Sequence, residues 1–168
     1  MDQQQAFEQF LDTHKQLIVK VAGIYCGDPE QRKDLIQDII LQLWKSFPSY
    51  NKAYALSTWM YRIALNVSIS FLRKESTRKK TYEGLHQQGD LLYYQDPLME
   101  ERLQLLYQHM EELKPMEKAM LILHLEGRQH TEVAEILGVT ATNVSTKIHR
   151  IKALLKSKVK TYTNYGTE

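Results

Sequence analysis

The chain has 168 residues, enough for one ordinary domain or two small ones, and its hydrophobic content of 43% supports packed cores. Its net charge of +2 is too small to indicate nucleic-acid binding by itself, and its single cysteine, Cys26, excludes an intramolecular disulfide. The sequence has neither a hydrophobic signal core nor an apolar run of the ~18–20 residues that a membrane helix needs. We therefore expect a cytoplasmic protein with no stable membrane insertion, no metal and no cofactor.

The first half of the chain predicts three helices. Seven Gly and four Pro are few for this length, and no convincing alternating strand pattern is present. Apolar residues recur at helical spacing over residues 7–24, 35–44 and about 55–74, with breaks at 27–29 and 47–51. Within the third helix we expect Trp59 and Ile63 to face the core. The whole chain is predicted to be all-α.

The apolar pattern stops after the third helix. Residues 76–97 are rich in charge, Gln, Gly and Tyr, which indicates a flexible linker between two small helical domains at 1–75 and 98–160. The cations around 74–80 would contact DNA phosphates or be solvated. A frayed tail is expected at 161–168. The second domain is predicted to contain four helices, of which the first covers 98–113 and the second begins at Pro115, where a missing N–H costs little.

The second domain ends in the pattern of a helix-turn-helix. A short helix at 131–137 precedes Gly138, which can adopt the left-handed conformation that the turn needs. Thr140 or Thr142 can cap the next helix through a hydroxyl. That helix then carries apolar residues at spacings of four, three and four, which are Val144, Ile148, Ile151 and Leu155.

The polar face of this last helix is predicted to bind duplex DNA. Its members are Asn143, Ser145, Thr146, Lys147, His149 and Arg150. Between Gly138 and Lys160 there are six Lys or Arg residues and no Asp or Glu. Such a helix fits the major groove, with its N-terminal residues at base edges and its basic end along phosphates. The alternative is an ordinary helical hairpin with a solvated basic face.

These motifs, in this order, resemble the extracytoplasmic-function class of bacterial RNA polymerase sigma factors. The resemblance rests on short stretches in both halves, which are residues 34–38, 43–45, 57–66 and 71–73 and then 113–115, 125–127, 132–134, 137–139 and 148–150. The first half is the more specific part, because many regulators share a helix-turn-helix. The resemblance implies a protein without enzymatic activity that binds core RNA polymerase and directs promoter-specific transcription initiation.

The resemblance also implies roles for individual residues. The second helix would dock on the polymerase clamp coiled coil through Asp34, Gln37, Asp38, Leu41 and Trp44. The minus-ten element would be melted and read by Tyr50, Asn51, Tyr61, Arg62, Asn66, Ser70 and Arg73. Asn66 matches a position that helps to hold a flipped base, since an amide can both donate and accept hydrogen bonds. The last helix would read the minus-thirty-five element as duplex.

Some of these positions have simpler explanations or depart from the family pattern. Leu41 and Trp44 would also fit a core, and Asn66 a solvated surface. Asp38 stands where the family more often has Glu, and Ser145 where relatives often have Lys or Arg. Gln129 lies near the usual Ser or Thr cap of the first reading helix, and Thr131 offers a shifted cap. The departure at Asp38 shortens the side chain but keeps its charge, and those at Ser145 and Gln129 affect the base preference rather than the fold.

The linker length bears on how two promoter elements could be bound together. About 23 residues span at most roughly 75–80 Å when fully extended, but only about 25–30 Å as a flexible coil. The promoter elements lie around two duplex turns apart, and each turn is about 35 Å. We therefore expect the free chain, a monomer, to bind promoter DNA poorly until core polymerase fixes the separation. An anti-sigma factor is a further partner that the resemblance allows.

Three other functions are less consistent with the sequence. A free-standing helix-turn-helix regulator would need a dimerisation helix, and the first half would have no role. A protein that only sequesters polymerase would not need a basic reading helix. An enzyme would need a convergent catalytic set, whereas the six His residues are scattered and no glycine-rich phosphate loop is present. We expect His124 and His130 to be ordinary helix residues.

Overall fold

The computed structural model describes the backbone of residues 2–79, 108–110 and 112–164, and the side chains of residues 2–75, 108–110 and 112–158. These residues form helices and turns and contain no strand, so the predicted all-α fold is confirmed. The chain divides into two compact units, Met1–Asp90 and Leu91–Glu168. No helix within the described ranges is both long enough and apolar enough to cross a membrane.

The first unit contains three helices that pack on one another in pairs. They are α1 (Gln3–Tyr25), α2 (Pro29–Ser46) and α3 (Leu56–Lys79), with a short 3-10 helix, Phe47–Ser49, after α2. The break between α1 and α2 lies where it was predicted. The Asp28 carboxylate accepts a hydrogen bond from the Gln31 N–H at 2.8 Å, and Pro29 occupies the first turn. This is the capping arrangement that begins a helix.

Apolar side chains from all three helices fill the core of this unit. Those with essentially no exposed surface include Ile18, Val21, Leu35, Ile39, Leu43, Met60 and Leu65. At one edge the Phe10 ring contacts the rings of Phe47 and Trp59, with centroids 5.5 and 5.9 Å apart. Trp59 and Ile63 are half-buried, so they border the core rather than fill it.

Two helices extend beyond their predicted ends. α3 runs to Lys79, so residues 76–79, predicted to begin the linker, are helical. The final helix runs to Asn164, so residues 161–164 of the predicted tail are also helical. Both segments are polar but lack Gly and Pro, so the apolar pattern ends there before the helix does. The rest of the predicted linker and most of the predicted helix over 98–113 lie outside the described residues.

The second unit contains α4 (Pro115–Leu125), α5 (His130–Leu137) and α6 (Ala141–Asn164), and each of these helices packs on the other two. Pro115 occupies the first turn of α4, as the sequence predicts. α4 is buried on most sides, with Ala119, Met120, Leu121, Ile122 and Leu123 all in the core. It ends before Gly127, whose positive φ of 78° suits glycine. α4 is therefore the central helix against which α5 and α6 are held.

Two leucines on α2 provide a matched test of the first core. Leu43 has no exposed surface, whereas Leu41 is 49% exposed. We expect Leu43→Ala to lower the free energy of unfolding by about 2–5 kcal/mol, because it leaves a cavity. Leu41→Ala should change it by no more than about 0.5 kcal/mol. Both tryptophans, Trp44 and Trp59, lie in this unit, so their fluorescence during urea unfolding measures the effect. Equal losses for the two variants would contradict this packing.

Candidate functional site

The turn between α5 and α6 has the geometry that the sequence predicts for a helix-turn-helix. Gly138 adopts the left-handed conformation, with φ 68° and ψ 37°, and its N–H donates to the Ala134 carbonyl. The Val139 N–H donates to the same carbonyl at 3.1 Å. Of the two predicted caps, Thr140 is the one found, because its hydroxyl oxygen accepts from the Asn143 N–H at 3.2 Å.

The inner face of α6 is also as predicted. Val144, Ile148 and Ile151 are buried, and Leu155 is half-buried at the edge. On α5 the sequence predicts that Val133, Ala134 and Leu137 share the inner face. Val133 and Ala134 are buried, but Leu137 is only half-buried and Ile136 is buried instead. α5 begins at His130, with Gln129 before it making no side-chain cap, so Thr131 lies inside the first turn and does not shift the cap.

The outer face of α6 presents most of the predicted duplex-binding residues to solvent. The exposed members are Asn143, Ser145, Thr146, His149 and Arg150. Lys147 is different, because its side chain is 34% exposed and its Nζ lies 2.8 Å from the Glu117 Oε1 on α4. The sequence reasoning missed Glu117, since a contact between residues 30 positions apart leaves no local pattern.

The predicted polymerase-binding residues share one side of α2, opposite its buried side chains. They are Asp34, Gln37, Asp38, Leu41 and Trp44, and all are exposed. Leu41 is therefore not a core residue, which removes the simpler explanation of its position. Trp44 is only partly exposed, at 36%, and its ring makes a T-shaped contact with the Phe7 ring at a centroid distance of 5.0 Å.

The predicted minus-ten residues divide into an exposed group and two packed tyrosines. Asn51, Arg62, Asn66, Ser70 and Arg73 are exposed, and the last four form a row along α3 at helical spacing. Tyr50 is half-buried, with its hydroxyl donating to the Tyr54 carbonyl at 2.7 Å and its ring 5.1 Å from that of Trp59.

The prediction that Tyr61 lies on this DNA-binding surface is wrong. Its side chain is only 4% exposed, so the ring offers no face on which a base could stack. The reason is helical periodicity, because Tyr61 precedes the buried Ala64 by three residues and the buried Leu65 by four. The same spacing is present in the sequence, but the family resemblance placed Tyr61 among the residues that read the minus-ten element.

A groove between α2 and α3 brings members of both predicted sets together. From α2 it is lined by Asp38 and Leu41, and from α3 by Asn66 and Ser70. The other lining residues are Gln42, Lys45, Ile63, Val67, Phe71 and Lys74. Gln42 and Lys45 were not predicted, although each lies four residues after a predicted position. The half-buried residues of the lining, Ile63, Val67 and Phe71, are apolar, and its exposed residues are polar except for Leu41.

The described residues include no group of three or more His, Cys, Asp or Glu placed to hold a metal ion. Two histidines do meet, because the rings of His124 at the end of α4 and His130 at the start of α5 have centroids 5.6 Å apart. Burial lowers the pKa of His124 below its usual value, and the nearby Lys152 and His130 lower it further.

Two family models match the chain, one in each unit. Residues 10–78 match the model for Sigma-70 region 2, and residues 103–155 match the model for Sigma-70, region 4. Similar proteins include the ECF RNA polymerase sigma factor SigW of Bacillus subtilis, which is 26% identical over an alignment that covers 94% of this chain and 90% of that protein. The ECF RNA polymerase sigma-E factor of Escherichia coli is 23% identical, over 93% of this chain and 87% of that protein.

The chain belongs to the extracytoplasmic-function class of sigma factors. It directs promoter-specific transcription initiation, and its family consists of non-catalytic initiation factors. A free-standing regulator is not favoured, because the region 2 match accounts for the first half of the chain.

Solved structures agree with this sigma-factor fold. The sigma factor RpoE of Bartonella quintana, solved with the anti-sigma factor NepR, has a TM-score of 0.74 at 19% identity, over 92% of this chain and 97% of that one. CnrH, solved with the cytosolic domain of CnrY, has a TM-score of 0.65 at 19% identity, over 94% of this chain and 90% of that one. All the predicted polymerase-binding and minus-ten residues fall within the region 2 match, and the helix-turn-helix falls within the region 4 match.

The lowered pKa of His124 predicts an acid-sensitive helix-turn-helix unit. A histidine whose folded pKa is depressed takes up a proton more readily when unfolded, so its contribution is complete above a pH of about 6.5 and is lost as the pH falls below that value. We expect the protection factors of amides in α5 and α6, each taken relative to the intrinsic exchange rate at the same pH, to be smaller at about pH 5.5 than at about pH 7.5, and His124→Gln to reduce that difference. His149→Gln, which replaces an exposed histidine outside the pair, serves as the control. An unchanged pH dependence in His124→Gln would contradict this assignment.

Proposed function

We propose that this sigma factor uses three exposed surfaces for three tasks. The outer side of α2 binds core RNA polymerase, the exposed row on α3 holds the melted minus-ten strand, and the outer face of α6 reads the minus-thirty-five duplex. The observation that carries the proposal is the exposed polar face of α6, anchored by the buried residues Val144, Ile148 and Ile151.

Duplex reading by α6 follows from the residue types that it exposes. Arg150 has a planar fork of donors that can bind both acceptors of a guanine edge, and Asn143 can do the same for adenine. Ser145 and Thr146, near the start of the helix, can contact bases or phosphates through their hydroxyls. Lys152 and Lys156 extend the basic surface along α6, where they can neutralise phosphates.

Polymerase binding by α2 follows from a mixed surface. Asp34 and Asp38 place two carboxylates on the exposed side of α2. Leu41 adds an apolar side chain that is exposed to solvent in the free chain and that a partner could bury. Such a surface suits a partner helix that has basic and apolar residues. The polymerase clamp coiled coil, which the family resemblance names, is the partner that we propose.

Single-strand binding by α3 follows from its exposed row. Arg62 and Arg73 can contact phosphates, and Asn66 between them can hydrogen-bond the edge of an unpaired base. Ser70 lies one turn beyond Asn66, on the same side of the helix and on the wall of the groove. Tyr61 is buried and is not part of this proposed surface. Tyr50 could contribute only the exposed part of its ring, because its hydroxyl donates to the Tyr54 carbonyl.

The proposal also covers the partners and compartment of the free chain. We propose a cytoplasmic monomer that binds promoter DNA effectively only with core polymerase, because the linker cannot hold both units at their sites without cost. A protein inhibitor is a further proposed partner, since RpoE of Bartonella quintana was solved with the anti-sigma factor NepR. Such an inhibitor would cover the same outer surfaces.

The requirement for polymerase can be measured directly. We expect the full chain to bind promoter duplex weakly by itself and at least about tenfold more tightly as holoenzyme, which corresponds to about 1.4 kcal/mol. The measurement is fluorescence anisotropy with a labelled promoter, and core polymerase without the chain is the control. Equal promoter affinities for free chain and holoenzyme would contradict the proposal.

The role of Arg150 can be separated from general charge attraction. In the holoenzyme, Arg150→Ala should cost about 1–3 kcal/mol on the cognate minus-thirty-five sequence and relax preference at one base pair, if the guanidinium contacts a base. Lys156→Ala is the matched control on the same helix. It should weaken binding to all duplexes alike and reduce the salt dependence. A uniform loss for Arg150→Ala would assign that residue to phosphates, and no loss would remove it from the site.

A further inference from the structure

Lys147 is a cation of the reading helix that the fold already neutralises. Lys147 lies on α6 among the exposed residues of the outer face, yet its Nζ is 2.8 Å from the Glu117 Oε1 on α4. The two side chains are 34% and 20% exposed, so neither is fully solvated. Water screens such a pair less than it screens a surface ion pair. The ammonium group therefore has a fixed partner before any DNA arrives.

The carboxylate of Glu117 is itself held in place. Its second oxygen, Oε2, accepts a hydrogen bond from the Lys114 N–H at 3.3 Å, at the first turn of α4. The hydrogen bond from Lys147 is the main reason that the pKa of Glu117 lies below its usual value; burial acts in the opposite direction, and the Lys114 N–H lowers it further. Glu117 is thus charged at neutral pH and fixed from two sides.

We propose that Glu117 is a positioning residue that withholds Lys147 from the DNA backbone and thereby weakens the sequence-independent attraction of α6 for DNA. The inference rests on the proposed function of α6 as the duplex-reading helix. A lysine that binds a phosphate releases condensed counterions, and this gives affinity for any sequence. Lys147 would first have to leave a partly buried carboxylate, which also repels the approaching phosphates.

The consequence is a gain in selectivity. α6 has six cations from position 138 to 160, and phosphate contacts from all of them would bind any duplex. Of the five lysines among these cations, only Lys147 lies within the reading face, between the exposed residues Thr146 and Arg150. Neutralising it there leaves a larger share of the binding energy to contacts that depend on sequence. Glu117 is therefore a specificity determinant that does not itself touch a base.

The test uses the full chain with the Glu117→Gln substitution and a pool of random-sequence duplexes as the probe. Glutamine keeps an oxygen for the Lys114 N–H but removes the charge that holds Lys147. We expect tighter binding to the random pool, and a slope of log K against log salt that is steeper by about 0.9, the value for one added phosphate contact. That slope corresponds to an additional fall in affinity of about 3.5-fold between about 50 and 200 mM salt.

Two further variants identify the cation responsible. Adding Lys147→Gln to the Glu117→Gln chain should return the slope to the wild-type value. Glu112→Gln is the matched control, because Glu112 pairs with Lys158 on the same helix but is 55% exposed, so solvent already weakens its hold on that lysine. It should change the slope by clearly less than Glu117→Gln. An equal increase from Glu112→Gln, or no increase from Glu117→Gln, would overturn the inference.

A second measurement keeps the inference testable if Glu117→Gln fails to fold. The ammonium resonance of Lys147 in the wild-type chain, assigned through Lys147→Arg, can be followed by NMR while the random duplex is added. We expect it to keep its position while backbone amides of α6 shift. A shift of this resonance together with those amides would show that Lys147 leaves Glu117 for DNA, which contradicts the inference.

The failure of this inference can be distinguished from the failure of the proposed function. If the holoenzyme shows no dependence on Arg150 and the full chain does not bind duplex at low salt, α6 is not the reading helix and both proposals fail. If Arg150 matters but the slope of Glu117→Gln equals that of the wild type, only the role of Glu117 is lost.

Discussion

Burial of Val144, Ile148 and Ile151 against α4 and α5 fixes the rotation of α6 about its own axis. One residue of an α-helix corresponds to about 100° of rotation, so turning α6 by one position would expose this stripe and bury polar side chains. Each buried aliphatic side chain contributes roughly 1.5–3 kcal/mol, which makes such a rotation unfavourable. The outer face is therefore defined by the packing of the inner one. Asn143 and Arg150 point outward for that reason, whatever they bind.

The same constraint operates in the first unit and accounts for the separation of its surfaces. Leu35, Ile39 and Leu43 fix α2 in the core, which leaves its acidic side and Leu41 for a protein partner. α3 presents its cations and Asn66 by the same means, so one small core supports both of the surfaces that we propose for this unit, one for a protein and one for DNA. The ion pair between Glu117 and Lys147 adds an electrostatic constraint. It fixes the Lys147 side chain on the outer face of α6, where packing alone would leave that side chain free to move.

Periodicity predicts the parts of this sigma factor that depend on helix faces, and it fails where other forces decide. It predicted the stripe of α6, whereas the turn at Gly138 was predicted from the conformational freedom of glycine and the docking residues of α2 from the family resemblance. It did not prevent the error at Tyr61, because an aromatic ring with a hydroxyl fits either a core or a base-stacking surface. At residues 76–79 the helix continues after the apolar pattern has ended, because these polar residues include no Gly or Pro that would stop it. The partner of Lys147 could not be found from local sequence, because the contact joins two helices 30 residues apart.

The central claim is that packing directs three polar surfaces outward, and that these surfaces make core polymerase specific for a two-part promoter. Run-off transcription with purified core polymerase and a library of genomic fragments from the source organism tests this claim most directly. We expect discrete transcripts that require the full chain, with start sites preceded by two shared sequence elements at a constant separation. The same transcripts with and without the chain, or chain-dependent start sites that share only one element, would contradict it.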